Sequence, residues 1–290
     1  MPSAPLPKTH PDFSQLAPLV AAFLKAGGGQ TRLSQTVPQL IRKAIDEVID
    51  APRTNRFTLS ETEKTEKTYL GTKVEILLRA HLGLPKGRIL DLSIAGVETD
   101  IKNTMGGNWT IPMEAFGHPC LLLKENEKTA TCSMGFVIAR DKYLNPGQNR
   151  DAKRSFSVAG LQNVWWILKD HPYPPNFWET IPLRQRLAIM RAGGGSLRVA
   201  AMFRAIQKRP ISRLHVQAIA QQDDYMKRIR RNGGARDILA PEGVAILWGQ
   251  ADRHLIKSLG LGPVGRDEFI SYRPISPSEI AQLRKARHID

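Results

Sequence analysis

Apolar residues recur every three or four positions through the first third of the chain, a spacing typical of helices that bury one face. This pattern predicts helices over residues 14–25, 36–50 and 60–82, with the glycine-rich residues 26–31 separating the first two. Ser60 and Glu63 form a capping-box pattern at the start of the third helix. Its apolar stripe consists of Leu70, Val74, Leu77 and Leu78.

The apolar period then shortens to an alternation, which is typical of strands. Residues 88–94 and 97–104 are predicted to form two strands joined by the tight turn Ala95-Gly96. Further predicted elements are strands over residues 120–123 and 132–139 and a helix over residues 160–168.

A second region begins after residues 170–182, which contain four prolines and are predicted to form a semi-rigid linker. Helices are predicted over residues 183–192, 196–207, 212–220 and 223–231. Asn232-Gly233-Gly234 is then predicted to open a β-hairpin that contains a strand over 243–249. This order is typical of a winged helix-turn-helix. The predicted domains are therefore residues 1–169, the linker 170–182, and residues 183–290.

Charge adds a partner class to this picture. The chain has a formal net charge of +15, and residues 171–290 hold 20 Lys and Arg against 10 Asp and Glu. Such an excess predicts binding to a polyanion, with DNA favoured because phosphate neutralisation supplies most non-specific affinity. A solvated basic surface is the alternative. A membrane surface is less favoured, because the basic residues do not lie on one face of a long helix.

Composition excludes several classes of protein. The hydrophobic fraction of 41% and charged fraction of 24% are ordinary for a folded domain, so a disordered or fibrous chain is excluded. Two cysteines cannot build a disulfide framework or a four-cysteine zinc ribbon. The first residues lack a secretory-signal pattern, and the early apolar stretch 16–24 is too short for a bilayer. A soluble intracellular protein is expected.

Candidate chemistry falls on the predicted hairpin. Alternation of side chains can set Asp91 of the first strand beside Asp100 and Lys102 of the second, with Glu75 of the preceding helix within reach. Carboxylates hold Mg²⁺ through oxygen, the metal activates water, and the lysine offsets charge on a phosphate. These residues therefore predict phosphodiester hydrolysis. An ion-pair cluster on a solvated hairpin face is the alternative reading.

Other motifs are set aside. A second Asp-x-Lys, Asp151 to Lys153, has no strand context or partner acid, and is not taken as catalytic. Residues 260–265 match G-x-G-x-x-G, but without the strand before and helix after that a dinucleotide site needs, so no nucleotide cofactor is expected. His118, Cys120 and Cys132 fit no common zinc spacing and are predicted to be buried structural residues. Walker A and Gly-x-Ser-x-Gly patterns are also absent from the sequence.

The chain resembles the NaeI type II (type IIE) restriction endonuclease family across nearly its whole length. The blocks that carry the resemblance are KTEKT (64–68), GT-x-VEI (71–76), LD-x-x-IAGVE-x-D-x-K (90–102), IP-x-EA-x-GH-x-CLL (111–122), SMG (133–135), NRDAK (149–153), PPN (174–176), AQQDDYMKR (220–228), NGGAR (232–236) and PEG (241–243).

This resemblance implies an α/β (α+β) endonuclease domain with a restriction-endonuclease-like mixed sheet flanked by helices, followed by a winged-helix DNA-binding domain. The implied site is Glu75, Asp91, Asp100 and Lys102, and the carbonyl of Ile101 is expected to face the metal. Leu90 stands where many nucleases of this fold carry proline. Homodimers are implied, each engaging a substrate and an effector copy of double-stranded DNA in the cytoplasm of a prokaryotic cell.

The expected activity is Mg²⁺-dependent double-strand cleavage that leaves 5′-phosphate ends. Candidate DNA-binding residues on the presumed recognition helix and the turn after it are Lys227, Arg228, Arg230, Arg231 and Arg236. A basic solvated helix is the alternative for this segment. For the whole protein, a non-catalytic winged-helix regulator and a nicking repair endonuclease of the same fold remain open.

Overall fold

The structure is a computed structural model that describes residues 5–290. The chain divides into two compact units. The first unit contains residues 5–49 and 58–177, and the second contains residues 50–57 and 178–290. In the described part of the chain, no helix combines the length and apolar character needed to cross a membrane.

Both units contain α-helices and β-strands. The α-helices are α1 Phe13–Ala26, α2 Gln30–Ile49, α3 Ala51–Thr54, α4 Lys64–Leu82, α5 Val158–Leu161, α6 Leu183–Met190, α7 Gly195–Ala205, α8 Arg213–Ala220, α9 Ala235–Leu239, α10 Arg253–Ser258 and α11 Pro277–Lys285. The strands are β1 Leu92–Ile94, β2 Val97–Thr104, β3 Thr110–Ile111, β4 Pro119–Asn126, β5 Thr131–Ile138, β6 Leu144–Gln148, β7 Arg154–Phe156, β8 Trp165–Pro172, β9 Ile211–Ser212, β10 Ala245–Trp248 and β11 Glu268–Tyr272.

A five-stranded mixed sheet forms the centre of the first unit, with the order β1-β2-β4-β5-β8. β2 and β4 are parallel, and the other neighbours are antiparallel. Helices α1, α2 and α4 contact strands of this sheet. Phe23 of α1 packs edge-on against Phe136 of β5, with ring centroids 5.0 Å apart. The predicted fold class, a mixed sheet flanked by helices, is confirmed.

Helix α4 begins after Glu63, where Glu63 and Glu66 form the capping box. The predicted start at Ser60 is therefore wrong, because residues 59–61 form a separate 3-10 turn. Leu70, Val74 and Leu78 of the predicted stripe are fully buried. Burial of this stripe fixes which face of α4 turns toward β2 and hence where its polar side chains lie.

Two other predictions for the first unit are wrong. Only residues 92–94 of the predicted first strand are extended and paired, because residues 88–90 form a bend. Residues 165–168, predicted as part of a helix, belong to β8 and pair with β5. An apolar run of this length is ambiguous between helix and strand, and here hydrogen bonding to the sheet decides.

The predicted linker also differs from the structure. β8 continues to Pro172, and Tyr173, Phe177, Trp178 and Ile181 are buried, so this segment is packed and not a free spacer. Residues 50–57, which the prediction assigns to the first domain, belong to the second unit. Phe57 and Trp178 of that unit pack edge-on, with ring centroids 4.9 Å apart.

The second unit is built on a three-stranded antiparallel sheet with the order β10-β11-β9. α7 packs against α8 and α9, and β9 leads directly into α8. Residues 223–231 do not form the predicted helix: Tyr225–Arg228 is a 3-10 turn, and α9 follows at Ala235. The strand predicted over 243–249 is present as β10 and pairs antiparallel with β11. Residues 232–234 do not open a hairpin, because α9 follows them and α10 lies between the two strands.

Candidate functional site

Asp91, Asp100 and Lys102 lie together at the start of β1 and the middle of β2. Leu92 pairs with Thr99, so the antiparallel register brings Asp91 level with Asp100. Lys102 Nζ lies 2.8 Å from Asp100 Oδ1 and 3.6 Å from Asp91 Oδ2. Asp91 Oδ2 also accepts a hydrogen bond of 2.8 Å from the backbone nitrogen of Ile101. The sequence prediction that these three side chains meet is confirmed.

Asp100 is a buried acid with an unsatisfied oxygen. Its Oδ2 is buried and receives no hydrogen bond from a donor among the described residues, and a hydrogen bond to the Asp91 carboxylate requires one of the two acids to be protonated. Burial and the neighbouring Asp91 raise the pKa of Asp100 to about 7, against the opposing effect of Lys102. For Lys102, burial lowers the pKa, but Asp100 and Asp91 outweigh this and leave it raised. The charged ammonium group therefore lies beside Asp91 and an Asp100 carboxyl that keeps its proton up to a pKa of about 7.

This donor set suits a divalent cation. Among residues 5–290, no group of three His, Cys, Asp or Glu side chains is arranged to hold a metal. Mg²⁺, however, commonly takes only one or two carboxylates and completes its shell with water and substrate phosphate. Hard oxygen donors are supplied by the side chains of Asp91 and Asp100, including the unpartnered Asp100 Oδ2, and by the Ile101 carbonyl. That carbonyl now accepts a hydrogen bond of 3.0 Å from Lys102 Nζ.

Glu75 does not complete the expected cluster of three acids. It projects from α4 and forms an ion pair with Arg79, with Arg79 Nη1 3.2 Å from Glu75 Oε1. The same Arg79 nitrogen donates to the backbone oxygen of Asp91 at 3.2 Å. Burial and the charge of Asp91 raise the pKa of Glu75. Arg79 thus links α4 to the Asp91 loop, a contact that sequence reasoning missed.

Glu98 is a second residue that sequence reasoning missed. Alternation placed it on the face of Asp100 and Lys102, but its carboxylate turns to the loop that precedes Asp91. It accepts hydrogen bonds from the backbone nitrogens of Arg88, Ile89 and Leu90 at 2.8, 3.0 and 2.9 Å. These three bonds lower the pKa of Glu98. No sequence pattern identifies a contact between a strand side chain and a loop backbone.

The five candidate DNA-binding residues of the second unit separate into distinct environments. Asp224 accepts two hydrogen bonds from Arg228 and lies 3.5 Å from Lys227 Nζ. Arg236 is half-buried on α9, and its Nη2 lies 3.6 Å from Asp252 Oδ2. The side chains of Arg230 and Arg231 are exposed, without a hydrogen bond or ion pair inside residues 5–290. Lys227 and Arg228 lie on a 3-10 turn and Arg236 on α9, so the recognition helix on which the sequence analysis placed most of the five residues is not formed.

Structure also locates the motifs that the sequence analysis set aside. Asp151 and Lys153 lie at the exposed or half-exposed tip between β6 and β7, where Asn149 accepts from both backbone nitrogens. His118 is exposed, so the prediction that it is buried is wrong, whereas Cys120 and Cys132 are buried free thiols. Residues 260–265 form a loop between α10 and β11, as predicted.

Comparison with known proteins identifies the family. The family model described as restriction endonuclease NaeI matches residues 28–282. The type II restriction enzyme NaeI of Lentzea aerocolonigenes is 35% identical over 259 residues, which cover 86% of this chain and 81% of that protein. The resemblance expected from the sequence blocks is therefore confirmed. The chain belongs to the NaeI restriction endonuclease family and is a site-specific deoxyribonuclease.

Proposed function

We propose that the first unit cuts both strands of DNA in a Mg²⁺-dependent reaction centred on Asp91, Asp100 and Lys102. The observation that carries this proposal is the contact of Lys102 with two acids, one of which keeps a buried oxygen unpartnered. A solvated ion-pair cluster would not bury Asp100 to 3% exposure. Burying unneutralised carboxylates costs stability, so a functional reason is expected for this arrangement.

Asp91, Asp100 and the Ile101 carbonyl would hold the magnesium ion. When bound, the ion supplies Lewis-acid polarisation of the scissile phosphate and lowers the pKa of a water molecule. Lys102 carries the remaining positive charge. Its ammonium group, 2.8 Å from Asp100, can donate to a phosphate oxygen and stabilise charge that develops on it. Attack in line with the 3′ oxygen leaves 5′-phosphate ends.

Glu75 takes an outer role in this proposal. Its ion pair with Arg79 holds it near Asp91, from where it orients water at the edge of the cation site. The side chains of Arg79 and Glu98 hydrogen-bond to the backbone of Asp91 and Leu90 in the loop before β1. These contacts keep this loop in register with β2. Positioning of this kind is a main contribution of a protein to phosphoryl chemistry.

For the second unit we propose a winged-helix domain that binds an effector copy of DNA. The sheet order β10-β11-β9, with β9 between α7 and α8, is the strand arrangement of that fold and supports the assignment. The excess of basic residues in this half of the chain supports DNA as ligand. The functional division would follow the two compact units, with the endonuclease in residues 5–49 and 58–177 and the effector domain in residues 50–57 and 178–290.

The remaining part of the proposal concerns assembly. One active cluster per chain cuts one strand, so coordinated double-strand cleavage favours a homodimer acting on a symmetric site. The proposed substrate is double-stranded DNA, and the proposed place of action is the cytoplasm of a prokaryotic cell. Light scattering of the purified protein would give the mass directly, and a monomer at working concentration would contradict the homodimer.

The decisive experiment incubates the purified protein with a large unmethylated plasmid and Mg²⁺. Discrete double-strand fragments are expected, absent with EDTA. Asp100→Ala and Lys102→Ala should abolish cleavage while DNA binding persists, and Lys128→Ala, at an exposed lysine, should cut normally. Nicks alone would indicate a nicking endonuclease, and no change a DNA-binding regulator. Near-normal cutting by Lys102→Ala would refute its assigned role.

The effector role has a separate test. Sequencing the ends of the plasmid fragments maps the cleavage site. A short duplex containing this mapped site is then added in trans to a plasmid that carries one site. We expect the duplex to accelerate cleavage of the plasmid, because it fills the second DNA site. Inhibition alone, as for a simple competitor, would contradict the effector proposal.

A further inference from the structure

A cavity of about 240 Å³ lies in the second unit between the sheet and the segment after α8. Three arginines line it, Arg213 at the start of α8, Arg230 after the 3-10 turn, and Arg236 on α9. Trp248 and Phe269, from β10 and β11, form much of its apolar wall. Residues separated widely in sequence therefore bring three guanidinium groups to one half-enclosed space.

Arg213 is held in a fixed position at this cavity. Its guanidinium carbon lies 5.3 Å from the ring centroid of Trp248. The Trp248 ring stacks on Phe269 at 6.0 Å and donates from its indole nitrogen to the carbonyl of Arg266 at 2.9 Å. Asp267 adds an ion pair of 3.3 Å to Arg213. An arginine stacked on a fixed aromatic ring loses little conformational entropy when a ligand binds.

Positive charge at the cavity is only partly neutralised. The nearest ion pair of Arg236 is to Asp252 at 3.6 Å, beyond hydrogen-bond length. The Nε groups of Arg213 and Arg236 are buried and donate no hydrogen bond within the described chain. Arg230 has no side-chain hydrogen bond or ion pair in residues 5–290. Buried donors without acceptors are costly, so an anion with several acceptor oxygens fits this space.

Lys227 and Arg228 provide a contrast. Asp224 accepts two hydrogen bonds from Arg228 at 2.9 and 3.0 Å and lies 3.5 Å from Lys227 Nζ, although Arg228 Nε is buried without a partner in the described chain. Neither residue lines the cavity, so they are not part of the group of cavity arginines. Arg213, which was not among the sequence candidates, thus joins Arg230 and Arg236 as one group.

We propose that this cavity binds a phosphate group, and that in the working enzyme the phosphate belongs to the backbone of the effector DNA. The second part of this proposal rests on the proposed effector role of the second unit. Arginine forks match the paired oxygens of a phosphodiester, and the apolar wall strengthens the charge interaction. Trp248 acts through Arg213 as a positioning residue.

The test measures anisotropy of a labelled duplex carrying the mapped site, without divalent metal, over a series of salt concentrations. Arg213→Gln removes one charge but keeps a planar side chain. We expect about tenfold weaker binding and a salt slope smaller by about one, the change for one lost phosphate contact. Arg253→Gln, at an exposed arginine of α10 with no partner in the described chain, is the matched control and should bind like the wild type.

A second arm distinguishes a DNA phosphate from free phosphate. Inorganic phosphate is compared with chloride at equal ionic strength as a competitor of the duplex. If phosphate competes with the duplex for the wild type but not for Arg213→Gln, the cavity binds free phosphate as well. If phosphate does not compete while Arg213→Gln still weakens duplex binding, the cavity binds only a phosphate of DNA. Thermal unfolding of both variants confirms that they fold.

Two results would overturn the inference in different ways. If Arg213→Gln matches Arg253→Gln while Arg228→Gln weakens binding, the cavity is not the phosphate site but the second unit still binds DNA. If substitutions at Arg213, Arg228, Arg230 and Arg236 all leave binding and salt slope unchanged, the proposed effector domain fails as well.

Discussion

The Glu98 carboxylate lies 2.9 Å from the backbone nitrogen of Leu90 and accepts its hydrogen bond. The same carboxylate also accepts from the two preceding nitrogens, so a side chain of β2 holds the bend that delivers Asp91 to the cation site. The bend replaces strand pairing over residues 88–90, which explains why β1 is shorter than its sequence pattern predicts.

Removing this carboxylate should impair catalysis more than binding. We expect Glu98→Ala to lower kcat about tenfold to a hundredfold and to raise the Mg²⁺ concentration for half-maximal rate, because Asp91 loses its fixed position. Glu98→Gln retains one acceptor oxygen and should recover part of the rate. KM for DNA should change little. Glu114→Ala, at an exposed acid of the same unit, is the control. Unchanged metal dependence in Glu98→Ala would contradict the positioning role.

Arg79 should be tested in the same assay. It donates to both Glu75 and the backbone oxygen of Asp91, so Arg79→Met removes two contacts at once. We expect a lower kcat and, because Arg79 lowers the pKa of Glu75, a shift of the pH–rate profile to higher pH. Arg79→Lys preserves the charge and should shift the profile less. Identical pH profiles for the two variants would refute the electrostatic part of this prediction.

Asp100 should oppose stability in the absence of metal. Its pKa is raised to about 7, so at pH 8 the folded protein carries a charge that burial and Asp91 disfavour. We expect Asp100→Asn to raise Tm in EDTA while abolishing cleavage. Mg²⁺ at ten times its Kd should increase the free energy of unfolding of DNA-free wild type by about 1.4 kcal/mol, which raises its Tm. An equal Mg²⁺ response in both proteins would contradict the site.

The burial of Glu125 predicts that the free energy of unfolding depends on pH, independently of the cation site. It is 1% exposed on β4, its Oε1 accepts 2.8 Å from Asn103, and its Oε2 is buried without a partner. Burial raises its pKa to about 7, although the Asn103 hydrogen bond opposes this. Between its ordinary pKa near 4.5 and about 7, the folded state keeps a proton that the unfolded chain has released. Stability therefore falls as pH rises through this window.

Glu125→Gln should remove this effect. The stability gained by the substitution is expected to be small near pH 4.5 and to reach on the order of 3 kcal/mol above pH 7. Urea unfolding of wild type and variant at pH 5 and pH 8 measures the difference, and Glu114→Gln serves as an exposed control. A difference that is equal at both pH values would show that the Glu125 carboxyl is not protonated in the folded protein.

The local sequence was sufficient to predict much of the arrangement of Asp91, Asp100 and Lys102. Alternation along residues 97–104 placed Asp100 and Lys102 on one face of a strand whose observed bounds are Val97–Thr104. The short turn at Ala95-Gly96 brought Asp91 to the same level. These relationships depend on neighbours in sequence and on strand period, which the residues alone determine. The order of the blocks that match the family was also visible in the sequence and carried the resemblance to it.

Tertiary structure decided the rest. Pairing with β5 made a strand of residues 165–168, and the segment predicted as a recognition helix forms only a 3-10 turn, with α9 following at Ala235. The Glu98 contact with a loop backbone and the meeting of Arg213 with Arg236 at one cavity join groups far apart along the chain. Sequence periodicity describes which face a side chain takes on its own element, whereas the partner on that face is set by how separate elements pack.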